Sequence, residues 1–282
     1  MDSASRKEII PCPCCAGSQY VKWAEEHGYV AVKCSICGLV FVNPRPHESL
    51  IVEAVKTGMH SDVSHSRTAI GQHVPGNVAK YSQLFNNVFA DIWQRASPIT
   101  WLDVGAGYGE VVEAVTGLAP AGSKIEGVEP MTPKVIDCQR RGLNVREAYL
   151  SDIKDKYDVV SAINVFSHIP DFHFFLKDVK RVLLPNGEVV LETGNIGDLD
   201  SVEQVPTELD LPDHLVFAGE RNMESYLLKA GFHIVSIERQ RRDTVGNFLK
   251  NIIKKFLGRK VMLRLPYTSP YRSLLVRAKL GQ

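Results

Sequence analysis

ITWLDVGAGYGEVVEAV, at residues 99–115, combines a short apolar run, a turn with three glycines and apolar residues at helical spacing. This order predicts a β-strand followed by a tight turn and an α-helix. Ligands of open α/β sheets bind where strand ends meet helix N-termini, because backbone N–H groups there are free to donate. Glycines let the backbone approach a ligand closely. The stretch therefore predicts a ligand site, although a glycine-rich turn alone also fits a purely structural role.

An acidic residue ends the next predicted strand, KIEGVEP at residues 124–130. Glu129 follows Gly109 by twenty residues, and a carboxylate at that place can accept hydrogen bonds from both hydroxyls of a ribose. Nicotinamide dinucleotide sites usually read G-x-G-x-x-G, whereas this loop reads G-x-G-x-G and is preceded by Asp103. The combination favours S-adenosylmethionine (SAM) over a nicotinamide cofactor.

The region after residue 99 alternates short apolar runs with segments of helical spacing, which predicts β-α units around a parallel sheet. Glycines follow several helical segments, as is common where helices end. The sequence therefore predicts an α/β domain over residues 99–282. The predicted strands are ITWLDV, KIEGV, LNVRE, YDVVSAIN, GEVVLE, HIVSIER and RSLLVRAK.

A series of motifs in this domain, WLDVGAGYGE, GVEP, YDVVSAINVFSHIPD and LLPNGEVVLETGN, resembles that of class I SAM-dependent methyltransferases. The resemblance implies a Rossmann-like, doubly wound sheet of seven strands with the last strand antiparallel, and SAM as the cofactor. It places Glu129 at the ribose and the segment from Asn164 to His168 beside the sulfonium. The acidic residue that many members use at the adenine is not obvious in AYLSDIKDKYD, so that contact stays open. The residues assigned to the cofactor site are Asp103, Gly105, Ala106, Gly107, Gly109, Glu129, Pro130, Asn164 and Val165.

Five of the six cysteines lie within the first forty residues. Cys12, Cys15, Cys34 and Cys37 form two C-x2-C pairs with eighteen residues between them, which is the spacing of a zinc ribbon. Four thiolates leave no open position for water, so the predicted Zn²⁺ is structural. Its binding would supply folding energy to a module too small for its own core. Cys14 does not fit the spacing and is interpreted as a thiol outside the ligand set.

Methyl transfer to a hydroxyl or an activated carbon needs a group that removes the acceptor's proton. His168, in NVFSHIPD, follows the fourth predicted strand at the edge of the expected cleft and is one candidate base. His214, in LPDHLVF after the fifth strand, is the second candidate, and Asp213 could orient its imidazole. Each histidine could instead order its own loop, and the sequence leaves these roles open.

The sequence divides into a zinc-ribbon module at residues 1–46, a linker or lid with an N-terminal helix at 47–98, and the α/β domain. His60, His65 and His73 lie in the second part. Their spacing fits neither one helical face nor a short chelate, which favours a polar lid over a metal site.

One insertion, residues 247–260, reads NFLKNIIKKFLGRK and lies between the last two predicted strands. Its apolar residues fall on one helical face and its basic residues elsewhere. Such a helix could contact an anionic membrane, or it could pack its apolar face on the domain and expose its lysines. The packed arrangement is the favoured interpretation.

The charge balance, 33 Lys and Arg against 32 Asp and Glu, gives no general attraction to nucleic acid. The sequence contains no apolar run long enough for a membrane span and no apolar core of a signal peptide at residues 1–10. We therefore expect a cytoplasmic protein, located at the inner face of the membrane if the inserted helix binds lipid. The oligomeric state is not indicated.

The end of the cysteine module, CGLVFVNPRP, followed by a methyltransferase domain is similar to bacterial methyltransferases that act on sugars and cell-surface polysaccharide precursors. The resemblance implies a small or carrier-linked acceptor, methylated at a sugar hydroxyl or carbon in surface-glycan or secondary metabolism. One alternative is an RNA methyltransferase whose zinc ribbon binds RNA. Another is a non-catalytic zinc-ribbon adaptor with a vestigial SAM fold.

Overall fold

The computed structural model of the protein describes residues 6–60, 71–95, 97–241, 243–256 and 265–281. The elements before the predicted α/β domain are β1 (Lys7–Glu8), β2 (Tyr20–Glu26), β3 (Tyr29–Cys34), β4 (Val40–Val42), β5 (Arg45–Pro46), α1 (Glu48–Thr57), α2 (Pro75–Val88) and α3 (Ala90–Trp93). The elements that follow are β6 (Thr100–Val104), α4 (Glu110–Leu118), β7 (Lys124–Glu129), α5 (Thr132–Arg140), β8 (Val145–Glu147), β9 (Tyr157–Ile163), α6 (Phe172–Val182), β10 (Leu183–Gly194), β11 (Val216–Phe217), α7 (Glu220–Lys229), β12 (Phe232–Gln240), α8 (Val245–Phe256) and β13 (Ser273–Leu280).

Seven strands form one sheet in the order β12-β13-β10-β9-β6-β7-β8. The pairs among β6, β7, β8, β9 and β10 are parallel, whereas β13 is antiparallel to both β10 and β12. The strand order reverses at β6, whose neighbours are β7 on one side and β9 on the other. The predicted Rossmann-like, doubly wound sheet of seven strands with an antiparallel last strand is confirmed.

Alternate residues of the central strands enter two separate apolar cores. Trp101 of β6 packs in the core that contains Phe85 of α2. The next residue, Leu102, packs in the core that contains Leu176 of α6. Successive side chains of a strand point to opposite faces, so a fully apolar strand needs helices on both sides of the sheet. The edge where strand ends meet helix starts is therefore held rigidly from both faces.

The N-terminal strands are hydrogen-bonded to the C-terminal half of the chain. A second sheet has the order β11-β4-β3-β2, and Val216 of β11 pairs with Phe41 of β4. Phe41 is fully buried and belongs to the same apolar core as Leu215 and Tyr226. The cysteine-bearing segment thus shares the core of the larger domain, which compensates for its small size.

Part of the segment assigned to a linker or lid is helical. The side chain of His47 accepts a hydrogen bond from the Ser49 N–H at the start of α1, and Gly58 ends the helix in the left-handed conformation. The buried residues of α1 are Ile51 and Ala54. The helix predicted within residues 47–98 lies at YSQLFNNVFADIWQR, residues 81–95. Helix α1 was not predicted, because a buried face of so few residues gives no clear periodicity.

The inserted helix is present as α8, and residues 257–260 of the predicted insertion lie outside the described residues. Leu249, Ile253 and Phe256 are 54%, 59% and 89% exposed. The favoured interpretation, in which the apolar face packs on the domain, is therefore wrong for these three side chains. Among the described helices, none is both long enough and apolar enough to span a bilayer.

A buried ion pair joins α3 to the sheet. Arg277 of β13 is 5% exposed, and its Nε donates to Glu188 Oε2 at 2.6 Å. Its two terminal nitrogens donate to the carboxylate of Asp91 at 2.7 and 2.9 Å. Burying a guanidinium is costly unless its donors are satisfied, and here both carboxylates satisfy them.

Replacing this arginine tests the importance of the buried pair. We expect Arg277→Met to lower the free energy of unfolding by about 3 kcal/mol or more, because it leaves Glu188 buried without its partner. Arg95→Met is the matched control, since Arg95 also pairs with Asp91, at 3.5 Å, but is 68% exposed. Its cost should stay within about 0.5 kcal/mol. Equal losses in urea unfolding would contradict this assignment.

Candidate active site

A cavity of about 470 Å³ opens at the carboxyl ends of β6, β7 and β9. Gly105 and Gly107 border it at the end of β6, and Glu129 borders it at the end of β7. Helix α1 contributes apolar side chains to the opposite wall, and His168 lies at the side that follows β9. The volume lies within the range of small-molecule sites in proteins.

The glycine loop leaves its backbone open to the cavity. Gly105 and Gly107 have positive φ angles of 69° and 56°. A Cβ at position 105 would lie 2.6 Å from Cγ2 of Val165, so this position needs glycine for packing. A Cβ at position 107 would meet nothing within 4 Å, because this residue borders open space. A ligand can therefore approach the backbone at Gly107.

Glu129 connects the glycine loop to the strand beside it. The Gly107 N–H donates to its Oε2 at 2.9 Å, and the Met131 N–H donates to its Oε1 at 3.0 Å. The side chain is almost fully buried, yet it borders the cavity. A carboxylate oxygen can accept more than one hydrogen bond, so both oxygens remain able to accept from ligand hydroxyls.

Most of the predicted cofactor residues meet at this cavity, and three do not border it. Ala106 packs in the apolar core next to β7, and Gly109 begins α4 in the left-handed conformation. Asp103 is buried within β6, just before the glycine loop. The predicted residues that line the cavity are Gly105, Gly107, Glu129, Pro130, Asn164 and Val165.

The carboxyl group of Asp103 is buried near the end of β6, with 2% exposure. Ser161 donates to its Oδ1 at 2.5 Å, and Trp101 Nε1 donates to the Ser161 hydroxyl at 2.8 Å. Burial raises the pKa of Asp103 to about 7, the nearby Glu129 and Glu110 act in the same direction, and the Ser161 hydrogen bond opposes them. A positive charge in the cavity would lower this pKa and favour the ionised form.

His168 is held with one nitrogen free. Its Nδ1 lies 2.9 Å from the backbone carbonyl oxygen of Asp213, and since a carbonyl only accepts, Nδ1 carries the hydrogen. Burial lowers the pKa of His168 below its usual value, and the neighbouring His214 lowers it further. The imidazole is therefore neutral near pH 7, with a lone pair on Nε2 that can accept a proton.

Asp213 is an ionised carboxylate beside this imidazole. Burial alone would raise the pKa of Asp213, but the hydrogen bond from His60 and electrostatic attraction to the neighbouring histidine rings in their protonated form lower it to about 2. His60 Nε2 lies 3.0 Å from Asp213 Oδ1, and Asp213 Oδ2 lies 3.8 Å from His168 Nδ1. The carboxylate can stabilise the imidazolium that forms when His168 accepts a proton.

His214 lies behind His168, outside the set of residues that line the cavity. The two rings are 4.7 Å apart in an edge-to-face arrangement. The expected orientation of His214 by Asp213 differs from the structure, where His214 Nδ1 contacts the carbonyl oxygen of Leu209 at 2.8 Å. The geometry therefore favours His168 over His214 for contact with a bound acceptor.

The three histidines of the predicted lid have separate environments. His60 contacts Asp213, a partner 153 residues away that spacing could not reveal. His73 lies 3.1 Å from Glu113 of α4, and His65 lies outside the described residues. Sequence reasoning thus missed His60 as a member of the site.

The cluster at this end of the cavity has two chemical uses. His168, Asp213 and His214 each offer an atom within 4.8 Å of the others, so the donor types suit a divalent cation. The neutral His168 beside an ionised carboxylate also suits proton transfer. His168 and Asp213 border the cavity, whereas His214 does not. The arrangement therefore favours proton transfer over cation binding.

The side of the cavity beyond Glu129 is mostly apolar. Met131, Ala148 and Leu150 line it, together with the ring of Tyr149. Asp152, a nearby acidic residue, accepts the backbone N–H of Tyr149 and is not among the cavity residues. A planar ring system such as adenine could bind here by apolar contact. From the sequence, only an acidic residue was considered for the adenine, and these apolar side chains were not identified.

Four cysteine thiols converge in the N-terminal segment. Cys12 Sγ lies 3.5 Å from Cys37 Sγ, and Cys15 Sγ lies 3.6 Å from Cys34 Sγ. All four sulfurs lie within 4.8 Å of one another. A tetrahedral zinc with Zn–S bonds of 2.3 Å places its ligands about 3.8 Å apart, so the arrangement fits this metal. The hydrogen bond to Cys37 and burial raise the pKa of Cys12, so bare thiolates would be costly here without a cation.

Backbone carbonyl groups in the segment that carries the cysteine cluster accept hydrogen bonds from the α/β domain. Asn222 Nδ2 of α7 donates to the carbonyl oxygen of Cys37 at 2.8 Å, and Lys229 Nζ donates to that of Cys14 at 3.3 Å. Arg45, just before α1, donates to the carbonyl oxygen of Pro170 at 3.0 Å. Because Pro170 and α1 both line the cavity, the cysteine cluster is structurally connected to the cavity wall.

Comparison with known proteins identifies related sequences for the part that contains the glycine loop. A family described as a methyltransferase domain matches residues 78–237, more than half of the chain. The ubiquinone biosynthesis O-methyltransferase of Azorhizobium caulinodans is 31% identical over 103 residues, which are 33% of this chain and 40% of that protein. The match thus covers about two fifths of that relative's length.

Solved structures share the fold. A putative sarcosine dimethylglycine methyltransferase from Galdieria sulphuraria is 16% identical, with a TM-score of 0.54 over 72% of this chain and 86% of that chain. A SAM-dependent methyltransferase from Archaeoglobus fulgidus is 18% identical, with a TM-score of 0.52 over 72% and 94%. At these identities the likeness concerns the fold alone.

The raised pKa of Asp103 predicts a specific pH dependence of stability. Its folded pKa of about 7 exceeds the unfolded value, so its contribution to stability is fully present below the unfolded pKa near 4 and is lost as pH rises through 7. We expect Asp103→Asn, which cannot ionise, to gain on the order of 2 kcal/mol of stability relative to the wild type between pH 5 and pH 8. Urea unfolding of both proteins at the two pH values measures this. A constant difference would show that Asp103 ionises normally in the folded protein.

Proposed function

The chain belongs to the methyltransferase domain family, and on that premise we propose that it transfers a methyl group from SAM to a hydroxyl group of an acceptor. The observation that carries the proposal is that Gly107, Glu129 and His168 border the same cavity. A cofactor at the first two residues and an acceptor beside the third would meet within this space.

The residues at the loop end suit the charged and polar parts of SAM. Glu129 would accept hydrogen bonds from the ribose hydroxyls, and the open backbone at Gly107 would contact the methionine part. The cationic groups of SAM would favour the ionised form of Asp103. Bound SAM supplies a methyl group on a good leaving group, so the protein's tasks are alignment and proton removal.

The proton would go to His168. Its Nε2 would accept the proton of the acceptor hydroxyl, and Asp213 would stabilise the resulting imidazolium. His60 and His214 flank this pair, with His60 holding the carboxylate and His214 contacting the His168 ring. Neither borders the cavity, so we assign them positioning roles.

We propose oxygen as the atom methylated, since the curated relatives are named O-methyltransferases. A sugar hydroxyl on a small or carrier-linked molecule is the acceptor class we favour. The support is the resemblance of the CGLVFVNPRP segment and the polar groups near the acceptor end, namely Asn164, His168 and Asp213. A phenolic hydroxyl of a quinone precursor, as in the relatives' names, is the competing acceptor.

Two other functions have less support. An RNA methyltransferase would need a surface that attracts phosphates, and the formal net charge of the chain is only +1. A non-catalytic adaptor would not need a cavity that brings Glu129 and His168 together. Both alternatives give different labelling patterns in the experiment below.

We also propose that Cys12, Cys15, Cys34 and Cys37 hold a structural Zn²⁺. Four sulfur donors without an open position suit zinc in a structural role. The cluster is anchored to α7, and its last cysteine, Cys37, precedes α1 by eleven residues, so loss of the cluster would disturb the cavity wall that α1 provides.

Two substitutions should separate cofactor binding from transfer. Glu129→Gln should lower the affinity for S-adenosylhomocysteine about ten-fold or more, because a charged acceptor of hydrogen bonds is lost. His168→Gln should keep that affinity within about two-fold and lower methyl transfer at least about 100-fold, since it removes only the base. Calorimetry measures binding, and methyl-labelled SAM incubated with host extract measures transfer into sugar, lipid-linked, quinone and RNA fractions.

The control is Glu126→Gln on the same strand as Glu129. Glu126 contacts Tyr157 and Lys124 and does not border the cavity, so both readouts should stay near the wild-type values. Label in RNA would contradict the acceptor class. Cofactor binding without label in any fraction would favour the adaptor.

The zinc assignment predicts one bound zinc ion per chain of purified protein. Cys37→Ser should remove most of that zinc and weaken S-adenosylhomocysteine binding, because α1 loses its support. Cys14→Ser is the matched control and should retain the metal, since Cys14 lies outside the set of four thiols. Metal content is measured by mass spectrometry of the elements. Full zinc in Cys37→Ser, or its loss in Cys14→Ser, would show that the ligand set is different.

A further inference from the structure

We propose that the exposed face of α8 is a docking surface for an anionic lipid bilayer. The surface comprises Val245, Leu249, Ile253 and Phe256, with Lys250 and Lys255 beside it. It is independent of the proposed function. Only its connection to a membrane-resident acceptor rests on that function.

The first support is apolar area of α8 that the described part of the chain leaves exposed. Phe256 is 89% exposed, and Val245, Leu249 and Ile253 are each about half exposed. These residues are spaced by four, four and three positions, so they form one continuous stripe along the helix. Contiguous exposed apolar side chains of this kind are typical of contact surfaces.

The second support is the position of the charges. At about 100° per residue, Lys250 and Lys255 lie on opposite sides of the apolar stripe. Both lysines are exposed, and α8 contains no acidic residue. Lysines in such positions can reach lipid headgroups while the apolar residues enter the acyl boundary. This distribution of charge complements an anionic bilayer.

The charges also argue against a second copy of the chain as the occupant. If α8 packed against the same face of another molecule, Lys250 and Lys255 would approach identical lysines with no acidic partner on either helix. Like charges at close range disfavour that contact. A lipid surface satisfies the apolar stripe and both lysines together.

The third support is the location of α8 relative to the cavity. Gly194 ends β10, Ser273 of β13 is its register partner, and Gln240 ends β12 opposite Ser273. Helix α8 lies in the connection between Gln240 and Ser273, so it emerges at the same sheet edge as the cavity. A bilayer that binds α8 would therefore lie on the side of the molecule where an acceptor enters.

Vesicle co-sedimentation of the full chain tests the proposal. The probes are vesicles of phosphatidylcholine alone and vesicles that also contain phosphatidylglycerol at about one third of the lipid. The wild type should bind the anionic vesicles and bind the neutral ones at least about ten-fold more weakly. The double variant Ile253→Glu with Phe256→Glu should lose about ten-fold or more of the binding to anionic vesicles. The charge variant Lys250→Glu with Lys255→Glu should lose a similar amount.

Leu228→Glu is the matched control, because Leu228 is 58% exposed near the end of α7, which precedes the start of β12, whereas α8 follows the end of that strand. It should bind vesicles as the wild type does. Absence of wild-type binding to anionic vesicles, or unchanged binding of the α8 variants, overturns the proposal. Association of the wild type in lipid-free solution that Phe256→Glu abolishes also overturns it, in favour of a second copy.

Binding of S-adenosylhomocysteine by the same preparations separates the two proposals. All α8 variants should bind it as the wild type does, because the substitutions lie outside the cavity. Vesicle binding without ligand binding would contradict the proposed function and support the docking surface. Binding of S-adenosylhomocysteine without vesicle binding would contradict the docking surface and support the proposed function.

Discussion

The candidate site depends on the hydrogen bonds that connect Glu129 to the glycine loop and to the segment after β7. Its two carboxylate oxygens accept the N–H groups of Gly107 and Met131, which fixes the loop after β6 against the segment after β7. The parallel register of these strands brings both segments to the same edge. The carboxylate therefore shapes the cavity in addition to presenting acceptors to it. In physical terms, the cofactor end is preorganised before any ligand binds.

The opposite side of the cavity is built from distant parts of the chain. Helix α1 follows the cysteine cluster in sequence, and Arg45 ties its start to the carbonyl of Pro170. His60 reaches Asp213, which in turn orients His168 through a backbone carbonyl. The N-terminal segment thus contributes to the wall and to the candidate base. A structural metal in this segment would influence ligand binding without contacting the ligand.

Sequence predicted the sheet well because its signals are local. Each central strand is a short apolar run, and the interval between the glycine loop and Glu129 reflects a single β-α-β unit. The cysteine spacing likewise indicated four thiols that the structure brings together. Helix α1 and the contact of His60 with Asp213 were not predictable, because they depend on burial and on partners far away in sequence. The exposed face of α8 was misjudged for a related reason, since amphipathic spacing does not reveal what covers the apolar side.

The most direct test of the account is a crystal structure of the protein with S-adenosylhomocysteine. The account predicts the ribose hydroxyls within hydrogen-bond distance of Glu129 and the sulfur directed toward the side of the cavity where His168 lies. The adenine should contact Met131 and Leu150. A ligand bound elsewhere, or a ribose away from Glu129 in this cavity, would contradict the assignment of the site.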